Sequence, residues 1–206
     1  MKVNRRSQVD RSATTRAALV AAARRLFAEQ GFGGVGTEAI VMAAGVTRGA
    51  LYHQFADKTA LFEAVYEAIE EDLAKGLGDR ILASGVKDPI EALALGADAW
   101  LDACREPEVQ QIVLIDGPAV LGWVRWRDIG LRYGLGLVEG LLAQAIEVGR
   151  IPPQPISPLA HVLVGALDEA ALYIARSEDQ RTASEEIRAV TARLVAGLLE
   201  TPSGRA

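Results

Sequence analysis

Apolar residues recur at intervals of three and four along most of this chain, and no stretch alternates apolar with polar residues as a half-buried strand does. The first stripe begins after Thr14 and consists of Leu19, Ala22, Ala23, Leu26 and Phe27. Gly31 then stands where a helix C-terminus favours glycine. The chain has 206 residues, 50% of them hydrophobic, so it is long enough to bury a sizeable core. The spacing predicts an all-α protein of about nine helices.

Capping residues divide this pattern into separate helices. Thr37 begins a short helix that runs to about Ala44, and Thr47 caps another that ends near Gln54. Asp57 caps a longer helix that carries a stripe as far as Leu73. Further start signals are Asp88-Pro89, Pro107, Ser157-Pro158 and a capping box from Thr182 to Glu185. The helix that Pro107 opens is expected to be interrupted at Asp116-Gly117-Pro118.

The net charge of −5 conceals an uneven distribution. Residues 1–60 contain nine Lys and Arg against four acidic residues, a balance of +5, whereas the other 146 residues contain 13 basic and 23 acidic residues, a balance of −10. Such asymmetry between the ends of a chain indicates that one end meets a polyanion. The basic end is therefore the candidate for binding nucleic acid.

The residues of metal and disulfide sites are scarce. The single cysteine, Cys104, excludes a disulfide framework, and two histidines, His53 and His161, are too few for most zinc sites built on histidine. No apolar run reaches the roughly 18 residues of a membrane span, and the best, from Pro155 to Leu167, contains His161. The basic N-terminus has no apolar core of a secretory signal. We expect no metal, cofactor or membrane association, and a cytoplasmic protein.

Residues 37–54 form two helices of fewer than ten residues joined by a turn that contains Gly45. This is the arrangement of a helix-turn-helix motif. Neither helix would persist alone, because such short helices are marginal in water, so both must pack on a third, which the stripe before Gly31 provides. The side chains expected to join them are Ile40, Ala43, Ala44, Val46, Leu51 and Phe55.

The second helix of this pair is expected to leave a polar face to solvent. That face consists of Thr47, Arg48, Gly49, Tyr52, His53 and Gln54. The major groove of DNA offers hydrogen-bonding base edges and thymine methyl groups to such a face. The N-terminus of the helix also presents free N–H groups to a phosphate. The face therefore favours binding to double-stranded DNA.

Several short motifs lie in and around this pair of helices. They are Gly31-Phe32, Thr37, the run AGVTRGALYHQF at residues 44–55, Asp57-Lys58 and Leu61-Phe62. In this order they resemble the DNA-binding domain of the TetR family of bacterial transcriptional regulators. The resemblance covers residues 14–65 and says little about the chain beyond residue 70.

The resemblance implies a role for each matching position. Thr37 and Tyr52 would contact phosphate, and Lys58 at the start of the next helix would hold a backbone phosphate. The residues in or at the major groove would be Thr47, Arg48, Gly49 and His53. The basic residues Arg5, Arg6 and Arg11 would add contacts if they become ordered on DNA.

Gly31 to Gly36 also satisfies the G-x-G-x-x-G pattern of dinucleotide-binding sites. That pattern carries meaning only between a strand and a long helix. Here a helix precedes it and a helix of one or two turns follows it. We therefore interpret these glycines as a helix end and a loop.

Large aromatic residues gather in the second part of the chain. Trp100, Trp123, Trp126 and Tyr133 would line an apolar ligand pocket, with polar groups such as Asp116, Asp128 or Asp168. The alternative is that they fill an all-helical core, and the sequence leaves both interpretations open. Tryptophan indoles usually need a hydrogen-bond partner when they are buried.

These observations predict two domains. Residues 1–58 form a helix-turn-helix DNA-binding domain with a basic N-terminal arm, and residues 59–206 form an effector-binding and dimerisation domain. The predicted function is a ligand-responsive transcriptional regulator, most often a repressor in the family, that binds an operator as a homodimer through the helices at 157–176 and 182–200. The alternatives are a ligand-independent DNA-binding or architectural protein, and a helical enzyme that retains a DNA-binding head.

Overall fold

The computed structural model describes the backbone of residues 5–199 and the side chains from Arg11 onward. This part of the chain is helical and contains no strand, which confirms the predicted all-α class. One element has the wider π-helical hydrogen bonding, and we call it π1. The elements are α1 (Arg5–Gly34), α2 (Thr37–Ala44), α3 (Arg48–Gln54), α4 (Lys58–Ser84), α5 (Pro89–Ala103), π1 (Val109–Asp116), α6 (Gly117–Leu121), α7 (Trp123–Glu147), α8 (Ile156–Arg176) and α9 (Gln180–Gly197).

The chain divides into two compact units. The first unit comprises the residues up to Ile69 together with Pro107–Trp126, and the second comprises Glu70–Glu106 together with the residues from Arg127 on. Helices α4 and α7 each contribute to both units. The predicted division at residue 58 is one of function and stays a prediction. The segment Pro107–Trp126 was predicted to belong to the effector domain. In the structure it packs as part of the first unit.

The core of the first unit forms around α1. The fully buried side chains come from α1, α2, α3 and the start of α4, and include Leu19, Ala23, Phe27, Ile40, Leu51, Leu61, Phe62 and Val65. Phe27, Phe32 and Phe62 pack with ring centroids 5.3 to 5.7 Å apart. Gly31 interrupts α1 with a φ of 68°, so the predicted end of the first stripe is confirmed. Ala43 is exposed, and its predicted place in the core is wrong.

Residues 107–126 of the first unit pack against α1. The guanidinium of Arg24 donates two hydrogen bonds to Glu108, at 2.8 and 2.7 Å, and the backbone N–H of Phe32 donates to Asp116 at 2.7 Å. The predicted interruption at residues 116–118 is a change from π to α hydrogen bonding rather than a break. Sequence spacing gives no sign of this packing, because Arg24 and Glu108 lie 84 residues apart.

The backbone at the end of π1 fixes Trp126. The N–H of Gly117 bonds Ile112 O, five residues back, and Pro118 has no N–H to donate. The carbonyl of Val113 is therefore left to accept from the indole Nε1–H of Trp126, at 2.9 Å. A Cβ on Gly117 would lie 2.7 Å from that indole ring, so the glycine is needed for the close approach.

The second unit contains two clusters of buried side chains. One joins α5, α7, α8 and α9 through Ile90, Leu93, Leu142, Ala145, Ile151, Ala160 and Val195. The other consists of Leu101, Ala170, Ile174 and Ala183, with Trp100 and Ile187 packed against it. Since the start of α5 meets the start of α8 and the end of α5 meets the end of α8, the two helices run in the same direction.

The start of α9 corrects one capping prediction. The N-cap is Asp179, whose side chain accepts from the backbone N–H of Thr182 at 3.0 Å. Thr182 was predicted to be the cap itself. Instead Thr182 lies in the first turn of α9, and its hydroxyl donates to Asp179 at 2.7 Å. The chain thus uses an earlier aspartate as the cap in place of the Ser/Thr-x-x-Glu pattern.

Helix α8 is long and apolar enough to span a membrane by length and composition alone, with a mean hydropathy of 1.3. No such segment was predicted from the sequence, because the apolar run ends at Leu167, before Asp168. One helix so close to the limit does not indicate a membrane protein. The helix also carries Asp168, whose carboxylate is paired with Arg127 inside the second unit.

Candidate functional site

The helix-turn-helix is closed by a glycine turn and a threonine cap. Gly45 has a φ of 66°, and its N–H and that of Val46 bond back to carbonyls of α2. The hydroxyl of Thr47 accepts from Ala50 N at 3.2 Å and so begins α3. Leu51 and Phe55 are buried beneath α3. Local turn chemistry and two apolar anchors therefore fix the orientation of α3.

This orientation exposes the residues predicted to contact DNA. Thr47, Arg48, Gly49, Tyr52 and His53 are all exposed, while Thr37 at the start of α2 is half-buried. A Cβ at Gly49 would have only the Thr47 hydroxyl near it, at 3.9 Å, so the surface at that point is open. Gln54 is half-buried, and its amide donates to Ser12 of α1 at 2.8 Å.

Arg48 has a protein partner on this surface. Its guanidinium bonds the carboxylate of Glu38 on α2 at 2.9 Å, and it lies 5.6 Å from the ring centroid of Tyr52. Both charged side chains are about two-thirds exposed, so the ion pair itself contributes little to stability. Glu38 was not among the residues singled out from the sequence. The i to i+10 spacing across a turn carries no pattern that would have identified it.

Lys58 is held by the first unit as well as predicted to meet DNA. Its ammonium donates to Phe32 O at 2.8 Å and to Val35 O at 2.9 Å, and lies 3.9 Å from the centroid of Phe32. These bonds satisfy the carbonyl of Phe32 in the last turn of α1 and that of Val35 in the loop before α2. A lysine has three N–H donors, so one is left for a phosphate. The phosphate role of Lys58 stays a prediction.

The predicted arm is described in part. The side chains of Arg5 and Arg6 lie outside the described residues. Arg11 is exposed on α1. The contact of this arm with DNA stays a prediction.

Replacing Glu38 by glutamine should strengthen DNA binding. The change removes a carboxylate from the candidate DNA surface and releases the guanidinium of Arg48 for a phosphate or a base. We expect an affinity gain of about 2- to 10-fold at low salt, and a log–log salt slope steeper by up to about 1. Fluorescence anisotropy over a salt series measures both.

Glu29→Gln provides the matched control, because it removes the same charge from an exposed position of α1. Equal gains from both variants would mean that only net charge matters. That result would remove the special role of the Glu38–Arg48 pair.

The aromatic residues predicted to line a pocket are divided between the two units. Trp126 is buried in the first unit with its indole bonded to Val113, and Trp123 is 58% exposed beside it, with ring centroids 4.8 Å apart. Trp100 and Tyr133 belong to the second unit and are partly buried. Of the polar candidates, Asp116 accepts from Phe32 in the first unit, and Asp128 is exposed.

Asp168 lies in the interior of the second unit. Its Oδ2 accepts from the guanidinium of Arg127 on α7, and both side chains are less than a fifth exposed. Burial raises the pKa of Asp168 to about 6, although Arg127 acts in the opposite direction. The Arg127 guanidinium also lies against Gly165, 3.4 Å from where a Cβ would be. Arg127 was not predicted from the sequence, since nothing in the local pattern links it to a residue 41 positions later.

Three further groups of the second unit bear on Asp168: the thiol of Cys104, the carboxylate of Glu70 and the indole of Trp100. Burial raises the pKa of the Cys104 thiol well above its ordinary value, and the charges of Asp168 and Glu70 raise it further. Glu70 on α4 is itself only 6% exposed. The indole Nε1 of Trp100, one turn before Cys104 on α5, is buried and has no hydrogen-bond partner among the described residues. The second unit thus combines an ion pair, a second carboxylate and an unpaired donor.

Two family models match the chain. Residues 19–65 match the model described as bacterial regulatory proteins, tetR family. Residues 90–198 match the model described as tetracyclin repressor-like, C-terminal domain. The first match covers the helix-turn-helix, and the second extends over π1, α6, α7 and α8 to the end of α9.

Solved structures similar to this chain include the following three. A TetR-family transcriptional regulator from Pectobacterium atrosepticum is 33% identical, with 94% of this chain and 98% of that chain covered and a TM-score of 0.83. RolR in complex with resorcinol is 20% identical, with 96% and 98% covered and a TM-score of 0.71. FadR from Bacillus subtilis in complex with stearoyl-CoA is 17% identical, with 89% and 99% covered and a TM-score of 0.70. At such identities the last two indicate a shared fold alone.

Proposed function

The chain belongs to the TetR family of bacterial transcriptional regulators, and from this premise we propose that it is a cytoplasmic repressor released from its operator by a small molecule. The observation that supports DNA binding is the exposed polar face of α3, a helix capped by Thr47 and anchored by the buried side chain of Leu51. The exposed residues are Thr47, Arg48, Gly49, Tyr52 and His53. Because the family consists of transcriptional regulators, the helical-enzyme alternative is set aside.

The proposed DNA contacts divide by chemistry. Tyr52, Thr37 and the free donor of Lys58 would bond phosphates, which position the protein without reading sequence. Thr47, Arg48 and His53 would face base edges in the major groove, and Gly49 would allow the backbone of α3 to come close. Arg48 would exchange its bond to Glu38 for one to DNA.

A second copy of the chain is the proposed partner of α8 and α9. On α8 the exposed residues Val162, Ala166 and Tyr173 follow one another at helical spacing. On α9 the exposed large apolar residues are Val190 and Leu194, one turn apart. Two such stripes from each subunit suit a four-helix bundle. Two-fold symmetry would then place two recognition helices in successive major grooves, about 34–36 Å apart.

The fold alone does not select an effector. RolR binds resorcinol and FadR binds stearoyl-CoA on this same fold, and these ligands differ in size and charge. The choice must therefore come from the side chains. In this chain we place the effector in the second unit, near Trp100, Tyr133 and Asp168, because the groups there combine burial with unused hydrogen-bonding capacity. Trp126 is instead fixed in the first unit by Val113.

The deciding experiment begins with DNA. Sequences selected from a random duplex pool by the purified protein would be labelled and titrated by anisotropy. We expect saturable, sequence-selective binding, and Tyr52→Phe should weaken selected and random DNA alike. Binding without any sequence preference would overturn the regulator and favour the architectural alternative.

The response to a ligand is tested on the same complex. An effector that releases the operator must bind the free protein more tightly than the DNA-bound protein. DNA must then lower the affinity for the effector by the same factor by which the effector lowers the affinity for DNA. A coupling of about 1–3 kcal/mol would lower the affinity for the operator about 5- to 150-fold. A ligand whose affinity is equal with and without operator would show that regulation is ligand-independent.

A further inference from the structure

We propose that the second unit binds an uncharged aromatic alcohol or phenol, whose hydroxyl oxygen accepts a hydrogen bond from Nε1–H of Trp100 and whose hydroxyl hydrogen is donated to Asp168. The inference rests on the proposed function, since it names the chemical class of the effector. It is carried by the burial and the bonding state of two groups on facing helices.

The first group is the Trp100 indole. Its Nε1 is buried without an acceptor among the described residues, whereas the buried Nε1 of Trp126 donates to Val113 O at 2.9 Å. A buried N–H without a partner is costly and is rare in native proteins, so it points to an acceptor that is bound from outside. The acceptor can be an oxygen of a ligand.

The second group is the carboxylate of Asp168. Its Oδ2 is taken by Arg127, and no described residue donates to its Oδ1. The side chain is 16% exposed, so Oδ1 can accept from a molecule inside the unit. At neutral pH the carboxylate is mainly ionised, because its pKa is about 6. It is therefore an acceptor for a ligand donor.

The two groups lie at the same level of the second unit. Trp100 packs on the cluster that contains Ala170 and Ile174 of α8. Ala170 follows Asp168 by two residues on the same helix. Cys104 caps the end of α5, one turn after Trp100, and the charge of Asp168 raises the pKa of its thiol. Helices α5 and α8 run in the same direction, so Trp100 and Asp168 are carried on neighbouring helices near one another. The ring of Trp100 and the apolar cluster beside it favour an aromatic body for the ligand.

The chemistry of this pair selects a hydroxyl. A hydroxyl both accepts and donates, and so serves Trp100 and Asp168 together. A carboxylate ligand has no hydrogen to donate to Asp168, and its charge would be repelled by the charges of Asp168 and Glu70. An ammonium ligand has no lone pair for the indole N–H. Of these three polar groups, only the hydroxyl satisfies both partners.

The test uses three probes that share one phenyl ring: benzyl alcohol, benzoate and benzylamine. The full-length protein labelled with ¹⁵N gives one indole N–H signal for each of its three tryptophans, assigned by Trp→Phe variants. We expect benzyl alcohol to shift the Trp100 signal saturably. Benzoate and benzylamine should bind at least about 10-fold more weakly. The Trp126 signal is the internal control and should stay in place, because its N–H is already bonded to Val113.

Two variants test the named contacts. Trp100→Phe keeps an aromatic ring without the N–H and should lower the affinity for benzyl alcohol about 3- to 10-fold. Asp168→Asn removes the charge of the acceptor and should weaken it about 10-fold. Trp123→Phe is the matched control at an exposed tryptophan and should leave the affinity unchanged.

Three results would overturn the assignment. The first is benzoate binding as tightly as benzyl alcohol, and the second is benzyl alcohol binding without a shift of the Trp100 signal. The third is a Trp100 signal that none of the three probes shifts, which would leave water as the acceptor of the indole N–H. Release of selected DNA is measured separately by anisotropy. Alcohol binding without release would contradict the ligand-responsive function and leave the ligand class standing. Release by benzoate alone would support the function and reject the ligand class.

Discussion

Leu194→Asp should convert the protein from a dimer into a monomer that binds its operator two to four orders of magnitude more weakly. Leu194 is 53% exposed on α9, so an aspartate there costs the single subunit little. Across a subunit interface the same aspartate would be a buried charge without a partner, which is strongly unfavourable. Loss of the second recognition helix removes the gain of about 10² to 10⁴ that linked binding provides.

Sedimentation at micromolar concentration and DNA anisotropy measure the two consequences together. Leu82→Asp is the matched control, because Leu82 is 80% exposed on α4 and lies outside the proposed interface. It should leave both the dimer and the DNA affinity intact. A monomeric wild type, or a Leu194→Asp variant that still sediments as a dimer, would place the interface elsewhere.

The helix-turn-helix was predictable from the sequence because its determinants are local. Gly45 and Thr47 act within a few residues of themselves, through a left-handed turn and a side-chain cap, and both stand as expected. The apolar anchors Ile40, Leu51 and Phe55 are buried as the spacing requires. The exposed polar face of α3 follows directly from these constraints.

The contacts between distant segments of the chain were not predictable to the same degree. The pairing of Arg127 with Asp168 joins α7 to α8, and the pairing of Arg24 with Glu108 joins α1 to the segment before π1. Helical periodicity assigns a residue to a face, but it does not say which helix that face meets. The tryptophans illustrate the limit, because Trp126 is satisfied by a carbonyl that Pro118 leaves unbonded, while Trp100 is left without an acceptor.

Arg127→Met should lower the free energy of unfolding by about 3–5 kcal/mol at pH 8, and by much less at pH 5. Methionine replaces the aliphatic part of the arginine but leaves the buried carboxylate of Asp168 without its cation. The pKa of Asp168 is already raised to about 6 by burial, from an ordinary value of 3.8, and it rises further when Arg127 is removed. A carboxyl whose pKa is raised by folding stabilises the protein fully below its unfolded pKa, and that contribution is lost as the pH rises through the folded pKa.

In the wild type this loss is complete soon above pH 6, whereas in Arg127→Met it continues to higher pH. The difference in stability between the two proteins should therefore widen between pH 6 and pH 8. Urea unfolding followed by circular dichroism, at one protein concentration and several pH values, measures that difference. Adding Asp168→Asn to Arg127→Met should remove the part of the pH dependence that arises from Asp168, because that carboxyl is then absent. Arg125→Met is the matched control, since Arg125 is 41% exposed where it pairs with Glu63 and should cost only about 0–1 kcal/mol. A loss of stability for Arg127→Met that is the same at every pH would mean that the arginine acts through packing rather than through the charge of Asp168.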